Sequence, residues 1–176
     1  LPDYPMCGIA GILDQTQPSS DNSRLLDQML HIQHHRGPDD TGIWNDDHIF
    51  LGHNRLSIID LTEAANQPMH YKNFTMVYNG EIYNYVEIKQ LLLQKGHHFH
   101  THSDSEVILH AYEEWGSACV NHFVGMWAFV IYNKTTKELF VSRDRFGIKP
   151  FYYIHTGSTF YFASEIKTLK ASPHFK

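Results

Sequence analysis

Met126-Trp127-Ala128-Phe129-Val130-Ile131-Tyr132, Asn133-Lys134-Thr135-Thr136 and Leu139-Phe140-Val141-Ser142-Arg143 follow one another along the chain. An aromatic and β-branched run, a polar turn and a second such run read as two strands joined too closely for a crossover, so they pair antiparallel. Residues 151–154 and 160–163 repeat the rhythm, which extends the antiparallel reading over the last third of the chain.

Working back from this stretch, the pattern changes period. Ser103-Asp104-Ser105-Glu106 has the spacing of a helix capping box. Val107, Ile108, Ala111, Tyr112 and Trp115 then supply the buried stripe of a helix that Gly116 ends. A further helix is expected over about 85–94, closed by Gly96, and another opens in the polar cluster at 20–23. That one carries Leu25, Leu26, Met29, Leu30 and Ile32 on its apolar face and is stopped by Gly37-Pro38. Strands are expected at 8–13, 49–59 and 74–78, the last ending in a turn at Asn79-Gly80, a dipeptide suited to positive φ. Helices falling between earlier and later strands give an α+β domain.

With 176 residues and 42% hydrophobic content the chain can close one substantial core. Fourteen basic against 19 acidic residues leave a net charge of -5, with no basic stripe for phosphate backbones, so no nucleic-acid partner is expected. No apolar run reaches the roughly 20 residues of a membrane span, and no secretory pattern opens the chain. Two cysteines, Cys7 and Cys119, are too few for a stapled secreted scaffold, so a cytoplasmic setting without membrane partners is expected.

Short segments carry the chemistry. Met6-Cys7-Gly8-Ile9-Ala10-Gly11-Ile12, His35-Arg36-Gly37-Pro38-Asp39, His53-Asn54-Arg55-Leu56-Ser57-Ile58-Ile59-Asp60, Tyr78-Asn79-Gly80-Glu81-Ile82-Tyr83-Asn84, Ser103-Asp104 and Arg143-Asp144-Arg145-Phe146-Gly147-Ile148-Lys149-Pro150 stand in this order. Together they resemble the class II glutamine amidotransferase (glutaminase) domain of glutamine-dependent asparagine synthetases. The resemblance implies the N-terminal nucleophile hydrolase fold, a four-layer αββα sandwich of two antiparallel sheets. It also implies a domain over 7–176 that hydrolyses L-glutamine to L-glutamate and ammonia, preceded by an extension over 1–6.

In this chemistry Cys7 is the nucleophile and its own α-amine the base. A thiol near pKa ~8.5 and an α-amine at ~7.7–8.0 exchange a proton for only about 1 kcal/mol. The thiolate attacks the carboxamide, ammonia leaves and a γ-glutamyl thioester is hydrolysed. By resemblance, the Asn79 amide and the Gly80 backbone N–H take the oxyanion, worth ~10²–10³ in rate per donor. Arg55 would pair with the substrate carboxylate, Asp104 and Glu81 would hold its ammonium, and backbone around Ile58 and Ile59 would complete the wall. Standing alone, Cys7 reads as a small core residue, Asn79-Gly80 as a turn, Asp104 as a helix-dipole partner and Arg55 as a surface charge. Their joint order favours the catalytic set.

Glutaminase chemistry calls for no cofactor or metal. ATP and magnesium belong to a synthetase domain, C-terminal or separate, that would receive the ammonia and is absent here, with aspartate the suggested acceptor. The chain is expected to be a piece of such a protein or to work with a separate subunit, and a homodimer stays open. His98, His100 and His102 alternate, so on a strand they would share a face where a metal could sit. The loop over 143–150 is expected to be held by internal ion pairs and, in relatives, to face the partner domain. Residues 1–6 read as a tag remnant or a propeptide. The alternative function is a non-catalytic, glutamine-sensing or regulatory domain, silent while those residues cap Cys7.

Overall fold

The computed structural model describes residues 6–16, 20–56 and 66–176. The fold is α+β, built of two antiparallel sheets with helices, one sheet in each of two compact units. The first unit spans Leu1–Leu56 and Pro150–Lys176, the second Ser57–Lys149.

In the first unit β1 (Gly8–Asp14) runs between β3 (Ile49–Arg55) and β9 (Thr159–Ala163), with β2 (Asp40–Asn45) outside β3 and β8 (Tyr152–Thr156) outside β9. Every pairing is antiparallel. Small residues make room: a Cβ on Gly52 would stand 2.6 Å from Leu30 Cδ1 of the helix above the sheet, and one on Gly11 2.4 Å from the ring of Phe162, its cross-strand partner. Leu26, Met29 and Leu30 of α1 (Ser20–Ile32) therefore lie down on the sheet, in one core with Ala10, Ile12, Phe50 and Tyr161. The chain leaves α1 through a 3₁₀ turn at His34–Arg36, several residues before the Gly37-Pro38 stop that the sequence suggests. A short helix, α4 (Ile166–Leu169), adds Leu169 to the same core.

The second unit orders its strands β4-β5-β6-β7. β5 (Phe74–Ile82) and β6 (Gly125–Asn133) are nine residues each and paired along their whole length, Phe74 opposite Asn133 and Ile82 opposite Gly125. β4 (Met69–Tyr71) and β7 (Leu139–Arg143) flank them. Helices α2 (Tyr85–Gln94) and α3 (Asp104–Trp115) contribute Ile88, Leu92, Val107, Ile108 and Ala111 to a core with Met76, Tyr78, Ile82 and Phe129. Gly116 closes α3 at φ 57°, where a side chain would be strained.

The capping box is half formed. Ser103 Oγ accepts the Glu106 N–H, but the Glu106 carboxylate turns to the His100 and Thr101 N–H groups at 2.8 and 2.7 Å. Two strands, β2 and β4, lie where no strand is expected from sequence. The expected strand over 49–59 ends at Arg55, and its tail over 57–59 lies outside the described residues. Among the described residues no helix is long and apolar enough to cross a membrane.

Candidate active site

Gly8 of β1 faces Asn54 of β3, so the next residues outward are Cys7 and Arg55, at the same end of the sheet. Leu56, one residue further, meets the thiol with its backbone. Its N–H donates to Cys7 Sγ at 3.4 Å, and its carbonyl lies 3.5 Å from the same sulfur. A thiol can donate to that carbonyl and a thiolate can accept from that N–H, so the backbone of one residue serves both protonation states. Cys7 is half-buried, and Arg55 is buried opposite Asp40 of β2.

Cys7 has a second fixed contact. Arg36 Nε donates to the Cys7 carbonyl at 3.2 Å while its Nη1 sits 3.2 Å from Glu165 Oε1. Burial pushes the Glu165 carboxyl up, but hydrogen bonds from His35, Lys167 and Arg36 outweigh it and the net shift is downward. The charged glutamate thus clamps the guanidinium that holds the Cys7 main chain. The adjoining Gly37 lies against the β3 backbone, where a Cβ would stand 2.3 Å from the Asn54 carbonyl oxygen. Arg36 stands in one of the recognisable segments, yet its partners are 29 and 129 positions away, so no local signal in the sequence links them.

The two thiols differ sharply. Cys119 is fully buried in the second unit, in a 3₁₀ turn after α3, and burial pushes its pKa up to about 12. It is inert at neutral pH, whereas Cys7 keeps partial exposure.

Asn79, Gly80 and Glu81 lie in the second unit, inside β5 rather than at a turn, and this corrects the expectation from the Asn-Gly dipeptide. Asn79 pairs with Ala128 and Gly80 with Trp127. Gly80 is required by close approach: a Cβ there would lie 2.4 Å from the Met126 carbonyl oxygen. Asn79 Nδ2 is buried and has no hydrogen-bond partner among the described residues, a donor held ready at a real desolvation cost. Glu81 is half-buried opposite Met126.

Asp104 opens α3 and is buried. Its Oδ2 accepts from Tyr78 Oη at 2.7 Å and from the Ile82 N–H at 2.9 Å. Burial raises its pKa, against the pull of those two donors. Asp104 is therefore tied to the strand that carries Asn79, Gly80 and Glu81. Ile58 and Ile59 lie outside the described residues.

The loop after β7 is organised on one carboxylate. Asp144 accepts backbone N–H groups from Trp127, Phe146, Ile148 and Lys149 at 2.9–3.2 Å, and Arg143 donates to the carbonyls of Gly147 and Lys149. These charge-to-backbone bonds hold the loop. Residues 97–102 form no strand and His98, His100 and His102 are exposed, so the basis for a shared metal-binding face is gone. The described residues that come together with metal-ligand spacing are His97, His110 and Glu113.

Comparison with known proteins gives the family and the fold. The glutamine amidotransferase domain family matches residues 6–176. Asparagine synthetase [glutamine-hydrolyzing] 3 of Bacillus subtilis is 42% identical over 175 residues, which is 97% of this chain and 28% of that protein. A putative asparagine synthetase [glutamine-hydrolyzing] 2 of Methanocaldococcus jannaschii is 41% identical over 94% of this chain and 35% of its own length. The chain thus spans about a third or less of these curated relatives. Among solved structures, glutamine phosphoribosylpyrophosphate amidotransferase from B. subtilis, complexed with ADP and GMP, matches with a TM-score of 0.77 at 22% identity. The match covers 94% of this chain and 43% of that one, and the likeness is one of fold.

Proposed function

The chain belongs to the glutamine amidotransferase domain family, and from that premise we propose that it is a glutaminase acting through Cys7. The observation that carries the reading is the Cys7 sulfur, held 3.4 Å from the Leu56 N–H at the strand end occupied by Arg55. A thiolate formed there attacks the side-chain carbonyl carbon of glutamine, and the C–N bond breaks. Ammonia leaves with the proton first taken from sulfur. Water then cleaves the thioester to glutamate and restores the thiol.

In this reading Asn79 Nδ2 and the Gly80 N–H take the oxyanion, and the buried, unpartnered state of Nδ2 supports the first role. Arg55 takes the substrate carboxylate, Asp104 and Glu81 its ammonium, and the Ile58 and Ile59 backbone the wall. Arg36 and Glu165 position the nucleophile through its carbonyl. The proton relay uses the Cys7 nitrogen, which is an amide in a chain that carries residues 1–6. Domain 7–176 is therefore active once the Met6–Cys7 bond is cut, and silent before. The nitrogen passes to an ATP- and magnesium-using synthetase domain, with aspartate as the acceptor, and the reaction here needs no cofactor of its own. Two free cysteines fit a reducing, cytoplasmic setting.

Intact-mass measurement beside an ammonia-release assay tests this. Protein beginning at Cys7 should turn over glutamine and protein retaining residues 1–6 should not. Full turnover by the longer form overturns the amine relay, and no turnover by the shorter form overturns the glutaminase reading.

A further inference from the structure

In the second unit the side chains of His97, His110 and Glu113 converge. His110 and Glu113 sit three residues apart on one face of α3, and His97 follows α2. The facing ring nitrogens are both Nδ1, 3.0 Å apart, and Glu113 Oε2 lies 3.7 Å from His97 Nδ1. All three ligand atoms fall within 4.8 Å of one another. We propose that they form a binding site for a divalent cation of the zinc class.

The hydrogen-bond pattern argues for a cation between the rings. Behind each ring stands a carboxylate: Glu114 Oε2 is 3.2 Å from His97 Nε2, and Glu106 Oε1 is 3.7 Å from His110 Nε2. A neutral imidazole carries one N–H. If His97 donates from Nδ1, its Nε2 lone pair faces Glu114. If His110 donates instead, its Nε2 lone pair faces Glu106. Either neutral arrangement sets a lone pair against a carboxylate. A cation bound between the two Nδ1 atoms removes the conflict, because both Nε2 atoms then carry hydrogen and both point at acids. For His97 this is the carboxylate–histidine–metal arrangement that fixes ring orientation and raises ligand basicity, whereas His110 Nε2 faces Glu106 from beyond hydrogen-bond reach and has no bonding partner among the described residues.

The spacing suits a small ion. Tetrahedral zinc with bonds of about 2.0–2.1 Å separates its ligand atoms by about 3.3 Å, between the 3.0 and 3.7 Å found here. Tyr71 Oη donates to Glu113 Oε2 at 2.6 Å and Lys72 holds the other oxygen, so Glu113 would bind through one atom, supported from behind. The rings of Tyr71 and Phe99 pack against His110 at tilts of 34° and 33°, with centroids 4.0 and 4.2 Å away, which restricts its orientation. His110 is fully buried, His97 is 8% exposed and Glu113 26%, so the ion enters beside Glu113 and water completes its shell. Bound there, it would join β4, the segment after α2, and α3. The site is independent of the glutaminase reading.

Cobalt(II) alone, titrated into the full chain, reports geometry and ligand type, and zinc(II) competition against a chromogenic chelator reports affinity. One equivalent should bind with the intense visible absorption of a tetrahedral nitrogen–oxygen site and Kd below about 1 μM. Glu113→Gln and His97→Gln should each weaken binding about tenfold or more while far-UV circular dichroism stays unchanged. His98→Gln/His100→Gln/His102→Gln should bind as the parent does. The proposal is overturned by no uptake at about 100 μM metal, in which case a shared proton holds the two rings. It is equally overturned by a thiolate charge-transfer band, by loss of binding in the triple variant, or by full binding in Glu113→Gln.

Discussion

Tyr78 and Asp104, 26 residues apart, are joined by a 2.7 Å hydrogen bond from the phenol to Oδ2, inside the protein. The bond ties the first residue of α3 to β5, one position before Asn79. It also favours the charged form of an acid whose pKa burial raises. Tyr78→Phe should therefore raise the Asp104 pKa further and move the acidic limb of the glutaminase pH profile upward. If Asp104 holds the substrate ammonium, KM should rise about tenfold, the worth of one charge-assisted bond. A profile and KM equal to the parent's would refute the assignment.

Asn79→Ala should lower kcat by about 10²–10³ while KM moves little, because the lost donor acts on charge that develops only during the reaction. Steady-state kinetics on the Cys7-first protein measures it. A change confined to KM would instead make Asn79 a ground-state contact.

Alkylation should tell the thiols apart. Iodoacetamide near pH 8 is expected to add one label per chain, at Cys7, because burial holds Cys119 up to about 12. Peptide mapping by mass spectrometry gives the site. Ammonia release should fall in step with labelling, and Cys7→Ala should release none while still binding glutamine.

Asp144 gives a stability prediction with a defined sign. Burial raises its pKa, the four backbone donors more than offset that, and the folded-state value lies below the ordinary 3.8. Its contribution is therefore complete above the unfolded-state pKa and is lost as pH falls through the depressed folded value. Asp144→Asn should cost about 2–3 kcal/mol at pH 7. Urea midpoints for parent and variant should converge as pH drops below about 4, and a gap independent of pH would count against the charged cradle.

Where the sequence was legible, the signal was local. Ser103 caps α3, Gly116 ends it, and the aromatic runs on either side of Asn133-Lys134-Thr135-Thr136 pair as β6 and β7. Asn79-Gly80 misled because a dipeptide records turn propensity, whereas its state here is decided by Ala128 and Trp127 on the neighbouring strand. β2 escaped notice because an edge strand with one neighbour needs little apolar content, and β4 because three residues carry no period. The segments containing Cys7, Arg55 and Asp104 could be recognised, but Arg36 on the Cys7 carbonyl and Tyr78 on Asp104 could not. Both contacts are made by the folded chain across long sequence separations. His97 and His110 were passed over for the same reason, since the visible alternation belonged to three other histidines.

β1 is bonded along both its edges, to β3 from Gly8 to Leu13 and to β9 from Ala10 to Asp14. The Cys7 sulfur is thus carried at the tip of a strand riveted on two flanks, not on a connecting segment. Surface connections can lengthen, shorten or be swapped among descendants of this chain without moving that tip. Backbone amides from Ile9 to Ile12 should be among the last to trade deuterium with solvent, so the Cys7 sulfur inherits its address from the slowest-opening part of its sheet.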